Sequence, residues 1–160
     1  LKKILLLLST TRKSPKSINT ALEIAGREKA ELLILFILDY ELSQNIIQQL
    51  TQEGWIGGKA TEDLHTAIMK EYFAQGKLKI ADIEKQAKDK GISCRSIYTW
   101  GKFVEVALNV INKEKVDLII VTRRKRSNLS RFIFGSPVAQ LKEQVKCEIK
   151  IIDEQDDKPL

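Results

Sequence analysis

The sequence predicts an α/β fold, an open parallel sheet with helices on both faces, and three observations carry that expectation. First, Ile4–Leu8 and Leu32–Leu38 are continuous apolar runs, the pattern of strands buried on both faces. Second, Ile18, Ala21, Leu22 and Ala25 fall on one helical face between those runs, so the opening stretch reads as βαβ. Such crossovers produce parallel neighbours. Third, the alternation continues to the end of the chain as β-α-β-(α-α)-β-α-β-α-β. That order gives one layered unit, a single domain over residues 1–160 with a five-stranded sheet.

Each element has its own signal. Ser9-Thr10-Thr11-Arg12-Lys13 is a polar turn after the first strand, and Ser14-Pro15 reads as an N-cap with proline at the first helical position. Asp39 closes the second strand. A helix is expected over Glu41 to Gln52, broken by Gly54-Trp55-Ile56-Gly57-Gly58. The Trp55-Ile56 tip reads as a packed loop, with a ligand lid as the alternative. A long helix follows from Thr61 to Lys90, with Met69, Phe73, Gly76, Ile80, Ile83 and Ala87 spaced to face the sheet. Ala60, Leu64, Ala67 and Leu78 fall on nearly the opposite side, where a partner subunit is one cover and scattered surface apolar residues are the plain alternative. Gly91 ends that helix, and Ile92 to Trp100 is the third strand. Gly101 precedes a helix that turns Phe103, Val104, Ala107, Leu108 and Ile111 inward. Val116 to Val121 is the fourth strand, Gly135 to Lys146 the last helix, and Cys147 to Ile152 an alternating strand suited to a sheet edge.

A chain of 160 residues that is 43% hydrophobic can bury a full core. Net charge is +6, and Arg123, Arg124, Lys125, Arg126 and Arg131 concentrate much of it in one loop, whereas Asp153-Glu154-Gln155-Asp156-Asp157 is acidic. A localised cationic patch points to an anionic ligand more than to a coat of nucleic acid. Cys94 and Cys147 are far apart with no C-x-x-C, so they read as buried free thiols in a reducing compartment. The sole histidine, His65, lies in a polar helical pattern and receives no role. No apolar run approaches membrane-spanning length, and Leu1–Leu8 is too short for a secretory signal, so a cytoplasmic protein is expected. Beginning at Leu1 rather than Met, the chain is expected to be trimmed or cut from a longer one.

The stretch from Val121 to Val138 joins a strand to a cationic loop and then to Gly135-Ser136-Pro137, a helix entry. Backbone N–H groups and the positive end of a helix dipole can both face a phosphate in such a layout. A solvated charged loop is the alternative. No His-based triad, metal-ligand cluster or general base accompanies it, so catalysis is not expected.

Three segments together resemble the universal stress proteins of the UspA family: KKILLLLSTTRKSPKSINTALEIAGREKAELLILFILD, GISCRSIYTWGKFVEVALNVINKEKVDLIIVT and SNLSRFIFGSPVAQLKEQVKCEIKIID. The resemblance runs from Ile4 to Ile152. It implies strand order 3-2-1-4-5 in an adenine nucleotide alpha hydrolase-like fold, and a ligand crevice where the order reverses between the first and fourth strands. Nucleotide-binding members carry Gly, two residues, Gly, nine residues, then Gly followed by Ser or Thr. Laid on this chain, those positions fall on Thr122, Lys125 and Gly135-Ser136, so two of the three glycines are replaced. The family's adenosine-contacting aspartate falls on Ser9, beside Thr10, and its adenine-contacting backbone position falls on Ile37.

Left-handed geometry at Thr122 or Lys125 would cost on the order of 1–2 kcal/mol each, and a lost carboxylate contact to ribose removes roughly 1.5–3 kcal/mol. The resemblance therefore implies a cytoplasmic, non-enzymatic stress-response module with a degraded ATP site. Its remaining phosphate affinity would come from Arg123, Arg124, Lys125 and Ser136. One alternative is a dimeric interaction protein without nucleotide. The other is a polyanion or nucleic-acid binder through residues 123–131. Nucleic acid is not favoured, because Phe132 and Phe134 alternate with Ile133 like core residues. Family dimers pair their last strands, so homodimerisation through residues 146–152 is also implied.

Overall fold

The computed structural model describes residues 2–39, 45, 47–49, 51–52, 54, 59–124 and 136–154. Five strands, β1 (Lys3–Ser9), β2 (Glu31–Asp39), β3 (Cys94–Gly101), β4 (Leu118–Arg123) and β5 (Glu148–Asp153), form one sheet in the order β3-β2-β1-β4-β5. All four pairings are parallel, as the βαβ pattern predicts. Helices α1 (Pro15–Glu28) and α2 (Lys59–Asp89) cover one face, and α3 (Phe103–Glu114) and α4 (Pro137–Gln144) cover the other.

Alternation within the central strands divides their side chains between two cores. Ile4, Leu6, Leu8, Leu32, Ile34 and Phe36 meet α1 and α2, whereas Leu5, Leu7, Leu33, Leu35 and Ile37 meet α3 and α4. Burial on both faces is the physical reason these strands read as unbroken apolar runs. Helix α1 starts as expected: the Ser14 side chain accepts from the Ser17 N–H, with proline in the first turn.

Several boundaries differ from the sequence pattern. β4 begins at Leu118 rather than Val116, because Lys115 caps α3 in a left-handed turn (φ 53°) and Val116-Asp117 form the link. It also continues past Val121, since Thr122 and Arg123 pair with Ile152 and Asp153 of β5. Arg123, the first residue assigned to the cationic loop, is therefore strand. Helix α2 has 31 residues, about 46 Å, while β3 beneath it has 8, about 26 Å. The helix outruns the sheet. Gly76, Ile80, Ile83 and Ala87 are buried as expected, but Met69 is only half-buried and Phe73 is exposed. Cys94 and Cys147 are free thiols, each half-buried rather than buried. Burial, then Glu84 and Glu31, pushes the Cys94 thiol up to about 11, and burial raises Cys147 too. Trp55, Ile56, Phe132 and Phe134 lie outside the described residues.

Candidate functional site: the crevice at the carboxyl ends of the strands

Strand order reverses between β1 and β4, so the β1–α1 turn and the end of β4 share one crevice. The turn is tightly fixed. Ser9 N–H donates to the Arg12 carbonyl (2.9 Å), and Arg12 N–H is shared between the Ser9 carbonyl (3.2 Å) and Ser9 Oγ (3.1 Å). Ser9 is fully buried, so its hydroxyl closes its own turn instead of facing the crevice. Thr10 is buried as well. Its N–H donates to the Ile37 carbonyl (3.3 Å), and its Oγ1 accepts from the Asp39 N–H (3.4 Å). The structure thus brings Ser9, Thr10 and Ile37 together, bonding Thr10 to the backbone of the residue that the family resemblance assigns to adenine.

Thr122, where the family pattern has its first glycine, is 1% exposed and sits in regular strand. Its side chain shares the face of Leu118 and Ile120, toward α1. There its Oγ1 lies 2.7 Å from Ser17 Oγ and accepts from the Ser14 N–H at 3.4 Å, while Ser14 Oγ and Ser17 Oγ are 2.9 Å apart. Three hydroxyls thereby stitch β4 to the first turn of α1. No left-handed geometry is needed at Thr122; the positive-φ residues other than glycine among those described are Lys29 and Lys115.

Arg123 is not the free cation the sequence suggests. Its guanidinium grips Asp153 with two charge-assisted bonds of 2.6 and 3.0 Å, which hold its pKa above the usual arginine value. Being across the β4–β5 ladder, that partner could not be seen in the local sequence. Arg124 does reach the crevice. Ser136 begins α4, and its hydroxyl accepts from the Ala139 N–H at 3.4 Å, so its first role is a cap. Lys125 and Gly135 lie outside the described residues.

Between α3, α4 and the strand ends lies a cavity of about 620 Å³, lined by Arg12, Lys102 and Arg124 together with Asp39, Glu105 and Phe103. Three cations thus meet two carboxylates there. Arg12 is 3% exposed and lies over the Phe103 ring at 4.6 Å, a cation–π contact strengthened by exclusion of water. In the sequence Arg12 is one residue of a generic polar turn, and nothing local marks Lys102. The available signal was positional: both follow a strand's carboxyl end, where open parallel sheets build their sites. Lys13 points elsewhere; burial and then nearby Lys79 lower its pKa. Among the described residues no group of three or more His, Cys, Asp or Glu is arranged to hold a metal ion, and no helix is long and apolar enough to cross a membrane.

The universal stress protein family model matches residues 1–152. Universal stress protein YxiE of Bacillus subtilis (strain 168) is 23% identical over 94% of this chain and 97% of its own length. Among solved structures, universal stress protein UspA from Lactobacillus plantarum superposes with a TM-score of 0.67 at 14% identity, covering 94% of this chain and 97% of that one. A universal stress protein in complex with cAMP superposes with a TM-score of 0.63 at 14% identity, covering 94% and 96%.

Proposed function

The chain belongs to the universal stress protein family, and on that footing we propose a non-catalytic stress-response module of the cytoplasm whose adenine-nucleotide crevice keeps only weak, phosphate-directed affinity. One observation carries this reading. Thr122 spends its hydroxyl on Ser14 and Ser17 and its backbone on the β4–β5 ladder, where a glycine would let the backbone approach a phosphate. Ser9 adds to it: a buried hydroxyl replaces the family's carboxylate and turns back on Arg12. A ribose therefore has no charged acceptor at that position.

What the crevice offers instead is side-chain charge from Arg12, Lys102 and Arg124, tempered by Asp39 and Glu105. Side-chain cations attract phosphate with little selectivity for the rest of the molecule. That a structural neighbour is described as a complex with cAMP supports an adenine nucleotide as the ligand class. The reading also has two copies paired along β5, an edge strand that exposes Glu148 and Lys150.

The test is the purified protein itself. After desalting, ultraviolet absorbance and mass spectrometry are expected to find no stoichiometric nucleotide. Protein that carries a full equivalent of adenine nucleotide through purification would overturn the proposal.

A further inference from the structure

Helices α1 and α4 begin alike, and α3 does not. Ser14 and Ser136 each cap their helix with a hydroxyl that accepts from the first turn. Helix α3 has Lys102 at that position, in extended backbone and with no side-chain hydrogen bond to the turn it opens. A cation is poorly suited to this place, because the first N–H groups of a helix lack intrahelical acceptors and its dipole is positive there. The entry itself is closely fixed. Gly101 ends β3 at φ 148°, and a side chain on it would meet Val106 Cγ2 at 2.8 Å, so the chain passes directly from strand to helix.

The residues from Lys102 to Glu105 form one wall of the 620 Å³ crevice, and Arg124 borders it from the end of β4. Beneath them lies Arg12, 3% exposed and 4.6 Å from the ring of Phe103, the first residue of α3. Withdrawn from water, its charge acts more strongly on the cavity than a surface charge would. Thr11 also lines the cavity, and its Oγ1 is buried without a hydrogen-bond partner among the described residues. Asp39, which pairs in register with Gly101, and Glu105 offset part of the positive charge. Three cations at the positive end of a helix still work against the stability of the fold. Rules of local stability are broken in this way where a site is built, and a bound anion removes the conflict.

We infer that the phosphate subsite of this chain lies at the entry of α3, and not at the entry of α4 where the family pattern puts it. Lys102 and the first-turn N–H groups of α3 receive a phosphate group, while Arg12 and Arg124 supply charge from beneath and from the rim. This rests on the phosphate-directed reading above and gives that affinity its location. The alternative location has less to offer: the Ser136 hydroxyl is engaged by Ala139 N–H, and Arg123 is held by Asp153. A helix entry presents N–H donors to several phosphate oxygens at once, and a lysine acts on them as a mobile point charge. Neither feature reads a nucleoside, so inorganic oligophosphate and the phosphate chain of a nucleotide are received alike. Glu105, in the same first turn, repels the anion and holds the affinity down.

The test is calorimetric titration of full-length variants with inorganic triphosphate and with ATP at one fixed salt concentration. Lys102→Gln is expected to weaken both ligands about fivefold, the scale of an exposed ion pair. Glu105→Gln is expected to tighten both about threefold, a gain that no folding defect would give. Charge-matched controls stand at the far ends of two helices, Lys113→Gln in the last turn of α3 and Glu28→Gln at the end of α1. Solvent screening is expected to hold their effect below about 1.5-fold. Controls that shift Kd as much as the α3-entry variants, or binding unmoved by Lys102→Gln, would overturn this inference and leave the phosphate-directed reading standing. A parent protein that binds no triphosphate would overturn both.

Discussion

Thr122 is where this chain departs most consequentially from the glycine-lined pattern it resembles. A threonine can stay in extended backbone, and here it does, with its hydroxyl buried among Ser14 and Ser17. Replacing it with valine keeps the shape but takes the acceptor from the Ser14 N–H and one partner from the Ser17 hydroxyl, setting both beside an apolar group. The expected loss is about 1–3 kcal/mol, the penalty of leaving buried polar groups unsatisfied, whereas Thr122→Ser should stay well below that. Urea unfolding of the three proteins measures it, and a valine variant as stable as the parent would remove the hydroxyl cluster from the explanation. At this scale the sequence was only partly legible. Position in the family pattern located Thr122, but charge alone could not separate Arg123, consumed by Asp153, from Arg12, which is drawn into the crevice.

Among the elements, apolar runs located β1, β2 and β4, since burial on both faces leaves a pattern that needs no tertiary information, whereas the edge strand β5 was legible only as an alternation. Their ends were less legible because strand ends depend on what lies alongside. β4 extends to Arg123 only because β5 extends to Asp153. The amino end of β1 is likewise set by a neighbour: the Asp117 carboxylate accepts the Lys3 N–H at 2.9 Å and the Lys2 N–H at 3.0 Å. Those bonds hold the Asp117 carboxyl below its usual range, as hydrogen bonds from Arg95 do for Glu114. Both groups therefore favour the fold above the ordinary carboxylate pKa of about 4, and their contribution is lost as pH falls through the depressed values. Asp117→Asn is expected to melt lower than the parent at neutral pH and to show a shallower loss of melting temperature on acidification. Parallel acid limbs for the two proteins would contradict this.

For the molecule as a whole, topology and the place of the crevice followed from the order of elements and the family resemblance, but the chemistry inside the crevice did not. Its cavity gathers Arg12, Asp39, Lys102 and Arg124 from four separate strand ends, a convergence that no local pattern encodes. Strand order supplies the meeting point; only the folded chain supplies the charges. The most direct measurement of what those charges select is calorimetric titration of the unmodified protein with ATP and with inorganic triphosphate at one fixed salt concentration. Both are expected to bind weakly and with comparable Kd, because side-chain cations contact the phosphates while Ser9 and Thr122 give ribose and backbone little to hold. Tight binding of ATP with triphosphate failing to compete would mean that the crevice recognises adenosine despite these substitutions, and would contradict the phosphate-directed site.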